Sequence, residues 1–316
     1  MEVNMFFSGW LNRITAIGAG IVVAILLAIT STSAALAEDD ALFTSDFAGL
    51  NEEQTIFAAR ALDFFSQMES MYFGRIDKMN GGNEHETRVM STEYADHNAK
   101  AARGPVIQKG GRAYNITKKP TRDFQKQTVW SRFYSVDMHA KTPLVGMIHA
   151  AFVIQFYPDG GSSIGGFLDV LPGATPEEDL LYMKEAMDAV YEKYEVDPKP
   201  HRELSCKGDD EAAAATNRRY RRKVACIGGS FYVQPMLTVT DGNFNFVTEA
   251  YETLLDSYLT LAEKRAGDPF TDEDIAVQDA MRLNWFEDRL FSDPFTTEVV
   301  PYEIWSLHSL PPHVKF

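Results

Sequence analysis

Basic charge is what this chain most lacks. Against 45 Asp and Glu it carries 30 Lys and Arg, a net charge of −15 over 316 residues. A surface that acidic repels phosphate backbones and anionic lipid headgroups, which argues against a nucleic acid partner. Cysteine is nearly absent as well, only Cys206 and Cys226. Two cysteines cannot build a disulfide scaffold or a four-cysteine zinc site. In an exported protein such a pair often bridges, and here it would close a loop worth ~3 kcal/mol in the chain-entropy model. The alternative is two unconnected thiols, Cys226 being buried beside Gly228 and Gly229. Several catalytic signatures are missing too: no Ser-His-Asp pattern, no phosphate loop ending in Lys, no HExxH and no CxxC.

Long apolar runs are missing after the first 37 residues, so only the N-terminal segment could meet a membrane. There, Arg13 precedes an apolar run from Ala16 to Ile29, and Ala35–Leu36–Ala37 stands just before Glu38. This is the layout of a cleaved secretory signal, which predicts residues 1–37 as signal peptide, 38–316 as the working domain, and an exported location, periplasmic or extracellular. The other reading is an uncleaved membrane anchor over residues 16–37. Glu2 and Arg13 cancel, so the mature part keeps the full negative charge. Within it Arg218, Arg219, Arg221, Arg222 and Lys223 form the densest basic run. They read equally as a substrate-facing patch and as a solvated turn balancing Asp209, Asp210 and Glu211.

Hydrophobic residues make up 45% and aromatics 12%, enough for a sizeable core. Asn51 as N-cap with Gln54 three residues on predicts a helix with Ile56, Phe57, Ala61, Phe64 and Met68 on one apolar face. The polar, Gly-containing stretch 79–105 reads as a surface connection, and strand character begins at Val106. Val145–Tyr157 alternates most clearly, with Ile148, Ala150, Phe152, Ile154 and Phe156 on one face. Its other face, His149, Ala151, Val153 and Gln155, is small and mixed, as the floor of a cavity would be. Asp159–Gly160–Gly161 predicts a hairpin into a strand over Ser163–Val170. Thr175–Pro176–Glu177–Glu178 predicts a helix start with Thr175 as its cap. Further on, 195–222 reads as an insertion or mobile loop, Ser230–Val239 as a strand, Phe246–Ala266 as a helix, and Glu273 to about Trp285 as another. Leu290–Phe291 and Ile304–Leu307 read as final strands. Hairpins among long helices, without strict βαβ alternation, predict an α+β single domain on a mostly antiparallel sheet.

Taken alone, His139 and His149 are most simply hydrogen-bonded strand histidines. As metal ligands they lack a third partner at recognisable spacing, so a divalent metal has little support. A set of ordered motifs changes the weighing. Lys109–Gly110–Gly111 with Asn115 opens it. Ser135 and His139 form Ser-x-x-x-His, and His149 follows ten residues later. Ile164–Pro172 is then continuous with Gly165–Gly166 and Asp169 inside it, Glu177–Glu178–Asp179 follows, and Ile227–Gly228–Gly229–Ser230–Phe231–Tyr232 and Ser309–Leu310–Pro311–Pro312 complete it. From about residue 104 onward the chain resembles the oxygen-dependent coproporphyrinogen III oxidases. That resemblance implies a seven-stranded antiparallel sheet flanked by helices, usually a homodimer. It also implies oxidative decarboxylation of two coproporphyrinogen III propionates to vinyl groups, giving protoporphyrinogen IX in haem and porphyrin biosynthesis. Molecular oxygen is the co-substrate and there is no organic cofactor. Carried over by position, His149 is the candidate proton donor, Ser135 sits at the substrate, and Arg221 grips a propionate. Asp169 either contacts the substrate or caps a turn.

The departures from the family pattern are substantial. Val233 and Gln234 stand where the family has paired aspartates, and Ala151–Phe152–Val153 replaces Asn-x-Arg. Tyr182 and Lys184 replace histidines, as does Tyr220, and a C-terminal Gly-Gly-Arg is missing. Three functions stay open: the family oxidase, a catalytically degenerate porphyrin- or haem-binding protein, and an oxidase of a less anionic substrate.

Overall fold

The computed structural model describes residues 43, 47–82, 84–120, 126–206, 223–232, 236–292 and 299–316, without the side chains of 291 and 292. The expected signal segment, Arg218–Arg222, Val233 and Gln234 lie outside these residues. No described helix is long and apolar enough to cross a membrane.

Helix α1 (Glu52–Asn80) begins with the expected capping box. Asn51 accepts from the Gln54 backbone while the Gln54 side chain accepts from the Asn51 N–H. Seven strands follow as a continuous meander: β1 (Glu84–Ser91), β2 (Ala95–Arg103), β3 (Ile107–Thr117), β4 (Trp130–Ala140), β5 (Met147–Phe156), β6 (Ser162–Leu171) and β7 (Gly229–Ser230). Each is antiparallel to its neighbour. Helices α2 (Glu177–Lys193) and α3 (Pro198–Cys206) stand between β6 and β7. After β7 come α4 (Asp241–Arg265), α5 (Asp272–Glu287), a π-helical turn (Asp288–Ser292) and α6 (Tyr302–His308). This is the expected α+β architecture, and Phe47–Phe316 forms one compact unit.

Alternation along the strands separates two faces. The bulky face carries Tyr114, Tyr134 and Phe152, and α1 and α4 cover it. Phe65 stacks on Tyr134 at 5.3 Å, and meets Phe152 edge-on at 5.3 Å. Tyr251 of α4 reaches Phe64 at 5.8 Å. Within this layer Arg112 donates to both Glu69 oxygens, at 2.8 and 3.0 Å, and Tyr134 donates to one of them. Burial opposes the Glu69 charge, but Arg112 and then Lys100 hold its carboxyl below the usual range. The opposite face is covered by the C-terminal elements. Ile304 and Leu307 of α6 pack on Ala99 and Ala101, and Trp285 of α5 packs on Met147 and Leu171.

Several elements differ from expectation for physical reasons. Ile56, expected on the apolar face of α1, is exposed, because it lies one position off the buried stripe of Phe57, Ala61, Phe64 and Met68. The stretch 79–105 completes α1 and carries β1 and β2. β1 is an edge strand with almost every side chain exposed, and the apolar residues β2 buries are all alanines, with His97 and Lys100 between them, so neither shows bulky apolar alternation. Ile304, Leu307 and His308 are buried at helical spacing, making that segment a helix; Leu290–Phe291 falls in the π-helical turn. Thr175 does not cap α2. Its hydroxyl accepts from the Gly146 N–H and donates to the Pro172 carbonyl, leaving Pro176 at the cap. In place of a strand over Ser230–Val239, the described residues keep two residues of β7 and one bridge, Ile164 to Leu237. Within 195–222, Pro198–Cys206 is helical and 207–222 is not described. Helix α4 starts five residues early because Thr240 caps it, accepting from the Asn243 N–H. Cys206 and Cys226 are bridged, with Cα atoms 5.9 Å apart.

Candidate functional site

The small-residue face places the chemistry. In β4, Ser135, Asp137 and His139 point the same way because they alternate. Register then sets Gly111, Asp137, His149 and Asp169 side by side across β3, β4, β5 and β6. One step along, Ala113, Ser135, Ala151 and Phe167 make a second row, and on the other side stand Lys109, His139, Met147 and Leu171.

Asp137 is fully buried, and His149 and His308 are each 8% exposed. Nδ1 of His149 lies 2.5 Å from Oδ1 of Asp137, and Nε2 of His308 lies 3.4 Å from Oδ2. Arg289, on the π-helical turn, brings Nη2 to 3.5 Å from both ring nitrogens of His149. Its guanidinium sits 4.1 Å over the Trp285 ring, which packs 5.1 Å from the His149 ring. Phe167 closes the far side at 5.2 Å. Trp285 is fixed in turn, its indole N–H donating to the Ser309 carbonyl at 2.7 Å.

Burial works against a charge on Asp137, yet His149 and then Arg289 hold its carboxyl far below the usual range. Burial pushes His308 down to about 3 despite Asp137, helped by Arg289 and His149. His308 is therefore neutral at ordinary pH, and the Asp137 carboxylate faces Arg289 and His149. Such a site can hold a proton on His149 against a fixed negative partner, in surroundings closed to water.

The family model for coproporphyrinogen III oxidase matches residues 54–316. The chain belongs to that family. No individual curated protein matches it.

Of the residues that the coproporphyrinogen III oxidase motifs single out, the sheet brings Ser135, His139, His149 and Asp169 to one face. Ser135 is fully buried and its hydroxyl has no partner among the described residues. The His139 ring nitrogens also lack partners there, and burial, then Arg282 and Lys109, hold its pKa well below the usual value. Among the described residues no group of three or more His, Cys, Asp and Glu is placed to hold a metal ion. Asp169 is engaged with the backbone, its Oδ1 accepting from the N–H groups of Val170 at 2.9 Å and Ile227 at 3.3 Å. Burial pushes its carboxyl up to about 6. Those contacts pin the chain entering β7 and favour its structural reading. Arg221 lies outside the described residues.

The motifs pass over Asp137, His308, Arg289 and Trp285. Asp137 was legible, standing two residues from both Ser135 and His139 and therefore on their face. His308 directly precedes the Ser309–Pro312 motif. Nothing in the sequence marks Arg289 or Trp285 as neighbours of His149. A groove of about 740 Å³ runs between α1, α2 and α4, lined by Arg60, Asp63, Tyr182 and Glu252 among others. No histidine lines it, and it lies across the sheet from His149, so we place the candidate chemistry on the other face.

Proposed function

We propose that this family member carries out the oxygen-dependent decarboxylation of coproporphyrinogen III, or of a closely related tetrapyrrole, with His149 as the proton-handling residue. Each propionate would lose CO₂, one proton and two electrons to become a vinyl group, with molecular oxygen taking the electrons. No organic cofactor is needed for that balance, and none is proposed. The single observation carrying this reading is the Asp137–His149 contact of 2.5 Å at the position the family motif singles out. A histidine whose Nδ1 is committed to a carboxylate exchanges protons at Nε2, the atom a substrate would meet. Ser135 would stand one row away, and Arg221 would bind a propionate as a charge-assisted donor. We further propose an exported protein, working as a homodimer.

A second reading is a porphyrin- or haem-binding protein that has lost catalysis. Val233 and Gln234 in place of paired aspartates favour it, as does Ala151–Phe152–Val153 in place of Asn-x-Arg. Residues 151 and 153 instead favour a less anionic substrate for an altered oxidase. The deciding experiment adds oxygen to the protein with anaerobic coproporphyrinogen III and separates the porphyrins by chromatography. The two-propionate product is the expected outcome. Unchanged substrate beside a working control enzyme overturns the first reading, and a saturable Soret shift on porphyrin titration would then select the second.

A further inference from the structure

We propose that Asp137 is a positioning residue for His149: its carboxylate accepts from the imidazole and fixes the proton of His149 on Nδ1. The role in turnover rests on the reaction proposed above, whereas the contact itself rests on geometry alone.

Asp137 cannot serve a substrate directly, because it is fully buried. A buried carboxylate without partners is costly, so its contacts reveal its use. Oδ1 meets His149 Nδ1 at 2.5 Å, whereas His308 Nε2 stands 3.4 Å from Oδ2 without a hydrogen bond between them. The neighbouring donors are otherwise engaged. Lys109 Nζ donates to the carbonyls of Ser306 and Leu310, and the Tyr72 hydroxyl donates to the Asp137 carbonyl, not to its carboxylate. Arg289 lies over Trp285 and beside the His149 ring. One hydrogen-bonded carboxylate–imidazole pair and a second imidazole beside it thus pack as one unit, with His149 on β5, Asp137 on β4 and His308 at the end of α6.

The unit joins the sheet to the C-terminal segment, so the His149 ring is held from several directions. Asp137 holds Nδ1, Phe167 and Trp285 pack against the ring, and Trp285 is tied to Ser309, the residue after His308. Neutral imidazole carries one proton on either nitrogen, and the choice follows the hydrogen bond that the other atom makes. With Nδ1–H donated to Asp137, Nε2 is the basic atom. Charged and titratable groups around His149 are Asp137 on β4, its register neighbour Asp169 on β6, Arg289 on the π-helical turn and His308 on α6, with Lys109 on β3 beyond them.

The test is nitrogen NMR of the full chain labelled with ¹⁵N-histidine, with the His149 signals identified by their loss in His149→Gln. A proton on Nδ1 in the wild type, lost from Nδ1 in Asp137→Asn, is the expected result. In parallel, Asp137→Asn should lower kcat for coproporphyrinogen III by about a thousandfold or more with KM within about threefold, as removal of an orienting carboxylate does elsewhere. His308→Gln, which leaves the Asp137–His149 contact in place, should retain the tautomer and most activity. A bare Nδ1 in the wild type overturns the proposal even if Asp137→Asn does not fold, and so does an unchanged His149 spectrum in Asp137→Asn. If the tautomer behaves as expected while no coproporphyrinogen is consumed, the reaction reading fails and the positioning role stands.

Discussion

Gly111 lies directly under His308: a Cβ at residue 111 would come within 2.0 Å of the His308 carbonyl oxygen. The end of α6 can therefore rest on β3 only because position 111 has no side chain. That close approach brings the His308 ring over Asp137, the strand neighbour of Gly111.

Gly111→Ala should consequently lift α6, and His308 with it, without replacing any titratable group. The expected cost is about 1–3 kcal/mol, the range for overpacking a tight contact. Urea denaturation would measure it. The contact would be refuted as a constraint by a variant as stable as the parent.

Acid stability should follow the buried histidines. His308 titrates near 6.5 when unfolded and about 3 when folded, and His139 is shifted the same way. Between these limits the unfolded chain binds more protons, so stability rises from about pH 3 to about 6.5 and is lost on acidification. Asp169 has the opposite sign: its folded pKa of about 6 exceeds the usual carboxylate value, so its contribution falls as pH rises toward 6. Asp169→Asn should thus steepen the acid dependence and His308→Gln should flatten it. Melting temperatures collected at intervals from pH 4 to 7 would show both changes, and parallel curves for all three proteins would contradict the assignment.

How much of this was legible follows from which residues carry period. β5 carries Ile148, Phe152, Ile154 and Phe156 on one parity, so its faces, and the side of His149, could be read directly. β1 and β2 could not, because an exposed edge strand and an alanine-lined neighbour present no apolar alternation. The site divides in the same way. Asp137 shares a strand face with two motif residues and was within reach of sequence reasoning, whereas Arg289 and Trp285 reach His149 only through the packing of α5 and the π-helical turn. Long-range packing of that kind has no local signature.

Lys109 offers a test in the alkaline range. Burial, then Arg103, pushes its amine down to about 7, although Asp137 and Glu86 oppose the shift. From about pH 7 to 10.5 the folded chain holds fewer protons at this residue than the unfolded one, so stability should climb as pH rises. Lys109→Met should remove that climb. At pH 6 the variant escapes the cost of a buried cation and should lose little stability. At pH 9 it forfeits the bonds to Ser306 and Leu310 without that compensation and should be clearly weaker. Denaturation at the two pH values gives the difference, and an equal effect at both would place the amine outside this linkage.

The last prediction separates two effects of the Cys206–Cys226 bridge. The cysteines are 20 positions apart, so the bridge should raise stability by about 3 kcal/mol through loop closure. Cys226 also holds a left-handed backbone at φ 59°, which costs a non-glycine residue about 1 kcal/mol or more. Next to it, Ile227 donates to Asp169 and accepts from Arg202, so the turn itself is fixed by contacts independent of the sulfurs. Replacing both cysteines by serine should therefore lose the loop-closure contribution while keeping the backbone cost. The Cys206→Ser, Cys226→Gly pair should recover about 1 kcal/mol of that loss, because glycine adopts the left-handed turn freely. Urea unfolding of the two double variants, compared with the parent under oxidising and reducing conditions, measures each part. Equal stability of the serine and glycine variants would mean that residue 226 leaves the left-handed conformation once the bridge is gone.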